Sequence, residues 1–171
     1  LERRDPEFEA KMHEILLIYK QIELMFDENG NIVWPDEKSK TITVSYDEKP
    51  GIQAIANVAE DMQPTQAHGY VARDSEYKRL GTVSLLAGID LLTGEIIPKI
   101  SNTHKSVDFI AFLKVLDEKY NPGDKIRIIL DNHSIHTSKE TRRYLETIPN
   151  RFEFVFTPKH GSWLNLIESF F

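Results

Sequence analysis

The run Lys125-Ile126-Arg127-Ile128-Ile129-Leu130 constrains the fold more than any other stretch. Apolar residues nearly fill it. Strict alternation would leave one face of a strand in water, whereas near-continuous apolarity needs a strand covered on both faces. Such a strand belongs inside a layered α/β domain. The run delivers Asp131 directly beyond its carboxyl end, at the edge where open α/β sheets gather functional groups.

The rest of the chain supplies the layers. Residues 5–26 carry Phe8, Met12, Ile15, Leu16, Tyr19, Ile22 and Phe26 at helical spacing, with Asp5 as cap and Pro6 at the first helical position. This predicts a packing helix. Asp27 to Asn31 reads as a turn, and Trp34-Pro35 with Asp36 to Lys40 as surface linker. Thr41 to Asp47 alternates, with Ile42, Val44 and Tyr46 on one side and Thr43, Ser45 and Asp47 on the other. A half-buried strand with Asp47 at the end of its polar face is expected. Residues 48–78 read as a long connection with room for a short helix at Ile52 to Val58. Leu80 to Ile89 and Glu95 to Ile100 are strands around an Asp90–Gly94 turn, with Pro98 marking an edge. A helix capped by Ser106 buries Phe109, Phe112, Leu113, Leu116 and Tyr120, and Asn121-Pro122-Gly123-Asp124 ends it. Thr137-Ser138-Lys139-Glu140 has the form of a capping box and opens a helix to about Ile148. Phe152, Phe154 and Phe156 alternate in a fifth strand over Arg151 to Phe156. The expected architecture is α/β, a mixed five-stranded sheet flanked by helices. A three-strand antiparallel meander comes first and two further strands follow. Residues 1–40 form an N-terminal helix and linker, and residues 41–171 the main domain.

Composition sets limits. A length of 171 residues suits one domain with a real core. There is no cysteine, so thiolate and disulfide chemistry are excluded. No apolar stretch approaches a membrane span. The net charge of −6 argues against a stand-alone nucleic-acid binder. It leaves room for clustered carboxylates that bound metal ions neutralise.

Three acids stand out: Asp47, Asp131 and Glu168. With Ser162 as cap, helical spacing puts Trp163, Leu166, Ile167 and Phe170 on one apolar face and Asn165 and Glu168 opposite. Three carboxylates without cysteine suit a hard cation, magnesium or manganese. Two such ions can clamp an in-line phosphoryl displacement. Carboxylates acting alone as general acid and base are the alternative. Any one of these acids alone reads first as a solvated turn residue or cap; strand position and helical facing together bring the site reading level with that one. His133, His136 and His160 do not form a zinc set; His136 reads as a hydrogen-bonding residue near the acids.

Four blocks then resemble a known family. They are Tyr46-Asp47-Glu48-Lys49-Pro50-Gly51-Ile52-Gln53-Ala54, Glu76-Tyr77-Lys78-Arg79-Leu80-Gly81-Thr82, Leu130-Asp131-Asn132-His133-Ser134-Ile135-His136, and Thr157-Pro158-Lys159-His160-Gly161-Ser162-Trp163-Leu164-Asn165-Leu166-Ile167-Glu168. In order and spacing they resemble bacterial insertion-sequence transposases of the mariner superfamily. The resemblance implies a ribonuclease H-like fold in which Asp47, Asp131 and Glu168 are a DDE triad holding two magnesium ions, with manganese as substitute. It implies metal-dependent cleavage at transposon ends, then strand transfer of the freed 3′-hydroxyl into target DNA. Asn132, His136 and Asn165 match supporting positions beside the acids. Lys49, Arg79, Lys159 and His160 are candidate DNA contacts, with Lys78 a weaker one. Double-stranded DNA, a homodimer in the active complex and a bacterial cytoplasmic, nucleoid-associated setting follow from the same resemblance.

The departure lies at the ends. Relatives carry an N-terminal helix-turn-helix region, and nothing of that kind precedes residue 41. The helix bearing Glu168 reads as truncated, so the fragment is expected to fold but to transpose poorly. Another ribonuclease H-like nuclease and an inactive DNA- or partner-binding relic remain the alternatives.

Overall fold

The computed structural model describes residues 5–36, 40–67, 69–71 and 75–171. Along the chain run α1 (Phe8–Glu23), β1 (Thr41–Asn57), β2 (Tyr77–Asp90), β3 (Ile96–Ser101), α2 (Ser106–Lys119), β4 (Lys125–Leu130), α3 (Lys139–Thr147) and β5 (Phe152–Phe156). Two short 3-10 turns follow, Ser162–Leu164 and Leu166–Phe170. The strands form one sheet in the order β3-β2-β1-β4-β5. The first three are an antiparallel meander; β4 joins β1 in parallel and β5 joins β4 in parallel. The carboxyl ends of β1's core segment, β4 and β5 therefore point the same way.

β4 is covered on both faces, as its composition requires. Ile126, Ile128 and Leu130 pack with Ile42, Val44 and Tyr46 of β1 against Phe109, Phe112, Leu113 and Leu116 of α2. Ile129 faces the other way, into a second core with Val155, Leu164 and the α1 residues Ile15 and Ile18. Gly88 is needed for the first core, because a Cβ there would stand 2.6 Å from Val44 Cγ1 and 3.0 Å from Phe112. α1 is thus the packing helix its spacing predicts, with tighter bounds. Asp5 is not its cap: Glu7 holds that position, and Asp5 accepts from the Glu7 N–H.

Four local expectations are corrected. β1 is not half-buried, since Thr43 and Ser45 are buried along with the apolar set; α1 and the final turns cover that face. Residues 48–57 and 77–78 belong to strands rather than to a connection or a short helix. β1 runs on to Asn57 and pairs with β2 from Tyr77, forming a long ribbon. Pro50-Gly51 makes a bulge rather than a break, with Gly51 at φ 71° and a register shift between Lys49 and Ile52. Ser106 is the first residue of α2 rather than its cap; the Asp108 carboxylate instead accepts the Lys105 N–H at 2.9 Å. α3 is capped by Ser138, not Thr137, through the Thr141 N–H at 3.1 Å. Within the linker, Glu37, Lys38 and Ser39 lie outside the described residues.

Arg151 opens β5 and does more than begin a strand. Its buried guanidinium pairs with Asp117 at 2.7 Å and donates to the carbonyls of Asp117, Tyr120, Asn121 and Asp124. A cation there satisfies the carbonyls that the end of a helix leaves open. Among the described residues no helix is long and apolar enough to cross a membrane.

Candidate active site

Strand alternation and topology bring the acids together. Asp47 lies on the central strand and Asp131 immediately follows its parallel neighbour. Glu168 sits on the second 3-10 turn, which packs across β1 and β2. Asp47 is partly buried, and its carboxyl is pushed up to about 6. Burial is the main cause; the Glu48 N–H opposes it, and the negative charges of Glu48, Asp131 and Glu168 add to it. All three candidate acids therefore share one electrostatic neighbourhood. Among the described residues, however, no three His, Asp or Glu side chains are gathered tightly enough to form a finished metal cage. The donors still fit a hard divalent cation: they are carboxylates, and the charges of Asp131 and Glu168 help to raise the proton affinity of Asp47, which a cation between them would relieve.

Asn165 joins the third acid to the first. It is buried, its Nδ2 donates to the Tyr46 carbonyl at 2.8 Å, and its Oδ1 accepts from the Ser45 hydroxyl. Ser45 Oγ in turn accepts the Ile167 N–H at 2.9 Å. The segment carrying Glu168 is thus stitched to the two residues before Asp47. Tyr19 of α1 donates to the Leu164 carbonyl from the other side. The expected helical face is corrected here. Trp163 is 64% exposed and Leu166 and Phe170 are also open, while Leu164, Asn165 and Ile167 are buried. Two 3-10 turns joined at an extended Asn165 replace the α-helix, so a 3.6-residue spacing selects the wrong side.

Asn132 and His136 sit on the loop after β4. Asn132 donates its side-chain amide to the Thr157 carbonyl, strapping the exits of β4 and β5 together. His136 is buried, with Nδ1 3.0 Å from the Asp131 carbonyl oxygen and 3.3 Å from Asp131 Oδ1. Its Nε2 lies 3.1 Å from Glu48 Oε1. Glu48 is the residue that sequence reading missed. Its carboxylate also accepts from the Tyr46 hydroxyl at 2.8 Å. Burial pushes the Glu48 carboxyl up, but the His136 and Tyr46 hydrogen bonds outweigh it and hold it below the usual range.

The candidate cations separate by position. Lys159 and His160 are exposed and line an open groove of about 370 Å³ with Asp131, Asn132, His133 and Ser162. Lys49 is exposed beside the final turn, its Nζ 5.9 Å from the Phe171 ring. Arg79 does not join the site. It pairs with Ile55 far along the ribbon, roughly 25 Å from Asp47 at about 3.3 Å per residue. Lys78 lies on the same outer stretch.

This sheet order, with Asp47 on β1 and Asp131 just beyond the end of its parallel neighbour β4, defines a ribonuclease H-like domain. The sequence pattern described as DDE superfamily endonuclease matches residues 44–171. The chain belongs to that family. It is 27% identical over 143 residues to the insertion element IS630 uncharacterized 39 kDa protein of Shigella sonnei, a match covering 78% of this chain and 38% of that protein. The chain therefore spans well under half the length of this relative. Its fold is similar to the crystal structure of the catalytic domain of Mos1 mariner transposase, with a TM-score of 0.53 at 12% identity over 99% of this chain and 69% of that one. It is also similar to the Mos1 transposase catalytic domain determined with Raltegravir and Mg, with a TM-score of 0.50 at 16% identity over 99% and 72% of the two chains.

Proposed function

We propose that this chain is the catalytic domain of a DNA transposase, with Asp47, Asp131 and Glu168 as its acids. The observation that carries the reading is the Asn165 stitch, which fixes the Glu168 segment to the strand of Asp47 while β4 delivers Asp131 beside it. In the first step, water bonds to a phosphorus at the element's end and a 3′-hydroxyl leaves. In the second, that hydroxyl bonds to a phosphorus of target DNA and a target 3′-oxygen leaves. Magnesium, or manganese in its place, held as two ions by the three acids, supplies positive charge against the charge building on the exchanging oxygens. The protein's own part is placement. The buried frame of Ser45, Asn165 and Ile167 limits the motion of the acids, and placement of this kind supplies much of the barrier reduction in phosphoryl transfer.

Lys159 and His160 hold backbone phosphates in the groove beside Asp131, and Lys49 adds a charge beside the final turn. Contacts of this kind position DNA without reading its sequence. Arg79 meets DNA only where it runs along the outer ribbon. That ribbon leaves Ile55, Leu80 and Tyr77 about half exposed or more, which supports a second copy of the chain as its partner in the active complex.

The test is magnesium-dependent cleavage of a duplex bearing the element's terminal repeat, beside an RNA–DNA hybrid. The chain should nick the repeat, and Asp131→Asn should slow it by about 10³-fold, the scale of several kcal/mol of lost charge stabilisation. Cutting the hybrid in preference to the repeat would assign the site to another ribonuclease H-like nuclease. Sedimentation of the same mixtures reads the partner: two chains per DNA complex are expected, and Ile55→Lys with Leu80→Lys should leave one.

A further inference from the structure

Glu48 follows Asp47 directly, yet strand alternation sends the two to opposite faces of β1. Asp47 lies toward the turn that bears Glu168. Glu48 lies beneath α2 with Tyr46, and its side chain is only 10% exposed. There Oε1 meets the Tyr46 hydroxyl at 2.8 Å and His136 Nε2 at 3.1 Å. The His136 ring is held between Phe109 and Tyr46, with centroids 4.6 and 5.8 Å away. Its other nitrogen faces the Asp131 carbonyl oxygen.

Both ring nitrogens thus face oxygens. A carbonyl oxygen can only accept, so a hydrogen bond there needs Nδ1 to donate, and the ring then links Glu48 to the Asp131 main chain. Glu48 is thus engaged by Tyr46 and His136 on the face of β1 opposite Asp47. Asp131 Oδ1 also accepts the His133 N–H at 2.9 Å, so its carboxylate is gripped by the loop on one side and by the histidine on the other.

We propose that Glu48 is a positioning residue that acts through His136 to hold the Asp131 main chain and carboxylate in the orientation a metal ion needs. The inference rests on the reading of Asp131 as a metal ligand. Outer partners of this kind are worth about 10–100-fold in metal affinity. Neighbouring Asp and Glu at the end of one strand thereby take different tasks.

The experiment is calorimetric titration of the metal-free 171-residue chain with Mn²⁺ alone. Glu48→Ala should weaken binding by about 10–100-fold. Glu48→Gln should restore most of it, because an amide can pair with either protonation state of the ring. Glu48→Ala combined with His136→Ala should bind no more weakly than His136→Ala alone, since the two act in series. Unchanged affinity in Glu48→Ala overturns the proposal, whatever happens to its stability, and so does a glutamine variant as weak as the alanine one. Asp131→Asn separates the two readings: if it too leaves Mn²⁺ binding unchanged, the metal site itself is wrong. If the alanine variant does not fold, the imidazole ¹H–¹⁵N spectrum of the unaltered chain decides. A protonated Nδ1 on His136 supports the proposal, and a bare one overturns it.

Discussion

At the scale of single residues, the site depends on polar groups that have no alternative partner. Asn165 is buried, and its amide serves both Tyr46 and Ser45. Replacing it by alanine removes both bonds and strands the Tyr46 carbonyl away from water. A buried unsatisfied group of this kind costs about 1–3 kcal/mol. Asn165→Ala should therefore lower unfolding stability by about 2 kcal/mol, read as a shift in urea midpoint at constant slope. A loss below about 0.5 kcal/mol, typical of surface substitutions, would show that the stitch is not needed. Sequence reading found Asp131, because a doubly apolar strand must end somewhere and an acid stands at that end. It found Asn165 but turned it away from the core, since helical spacing was applied to a segment that is not α-helical. It missed Glu48 although the signal was present. The alternation that sends Asp47 to one side sends Glu48 inward after Ile42, Val44 and Tyr46. An acid with the parity of a core position needs a partner, and His136 is that partner.

At the scale of elements, α1 acts as a platform for the C-terminal segment that carries Glu168. Ile15 and Ile18 fill the second core, Tyr19 holds the Leu164 carbonyl, and Asp5 accepts the Lys159 N–H at 3.0 Å. The helix pattern was legible because its apolar stripe is long. What the stripe covers was not, because that depends on which sheet face the other helices leave open. The Asp5 carboxyl is lowered to about 2, first by the Lys159 N–H, then by the Glu7 N–H, with Lys11 helping against burial. Its folded value lies below the 3.8 of a free aspartate. The stability it lends is thus complete above about pH 5 and is lost as pH falls toward 2. Asp5→Asn should be less stable than the unaltered chain near pH 6, with the gap narrowing as pH drops through about 4. Urea midpoints across that range provide the check, and a gap that stays constant would show that the charge at Asp5 does not secure the latch. The long ribbon was the element least legible in sequence. Pro50 and Gly51 carry the usual marks of a break, and only pairing with β2 turns them into a bulge.

At the scale of the whole molecule, charge has to be reconciled with the polyanionic partner proposed above. The chain carries −6 overall, and Asp47 lies in the field of Glu48, Asp131 and Glu168, where the proposed function puts the reacting DNA. Attraction therefore comes from a few placed cations rather than from a basic surface. Lys159 is the best placed, exposed on the groove that Asp131 and Ser162 line. Each phosphate contact releases about 0.9 of a counterion, so the logarithm of affinity falls with the logarithm of salt at about −0.9 per contact. With so few cations at the site, the slope for duplex DNA should be shallow, and divalent ions should strengthen binding by screening the acids. Lys159→Ala should weaken binding about equally on terminal-repeat and unrelated duplexes, because phosphate contacts carry no sequence information. It should also reduce the steepness of the salt slope by about 0.9. Fluorescence anisotropy with labelled duplexes at several salt concentrations measures both. An unchanged slope would place Lys159 away from the phosphates, and a loss confined to terminal-repeat DNA would make it a reader of bases instead.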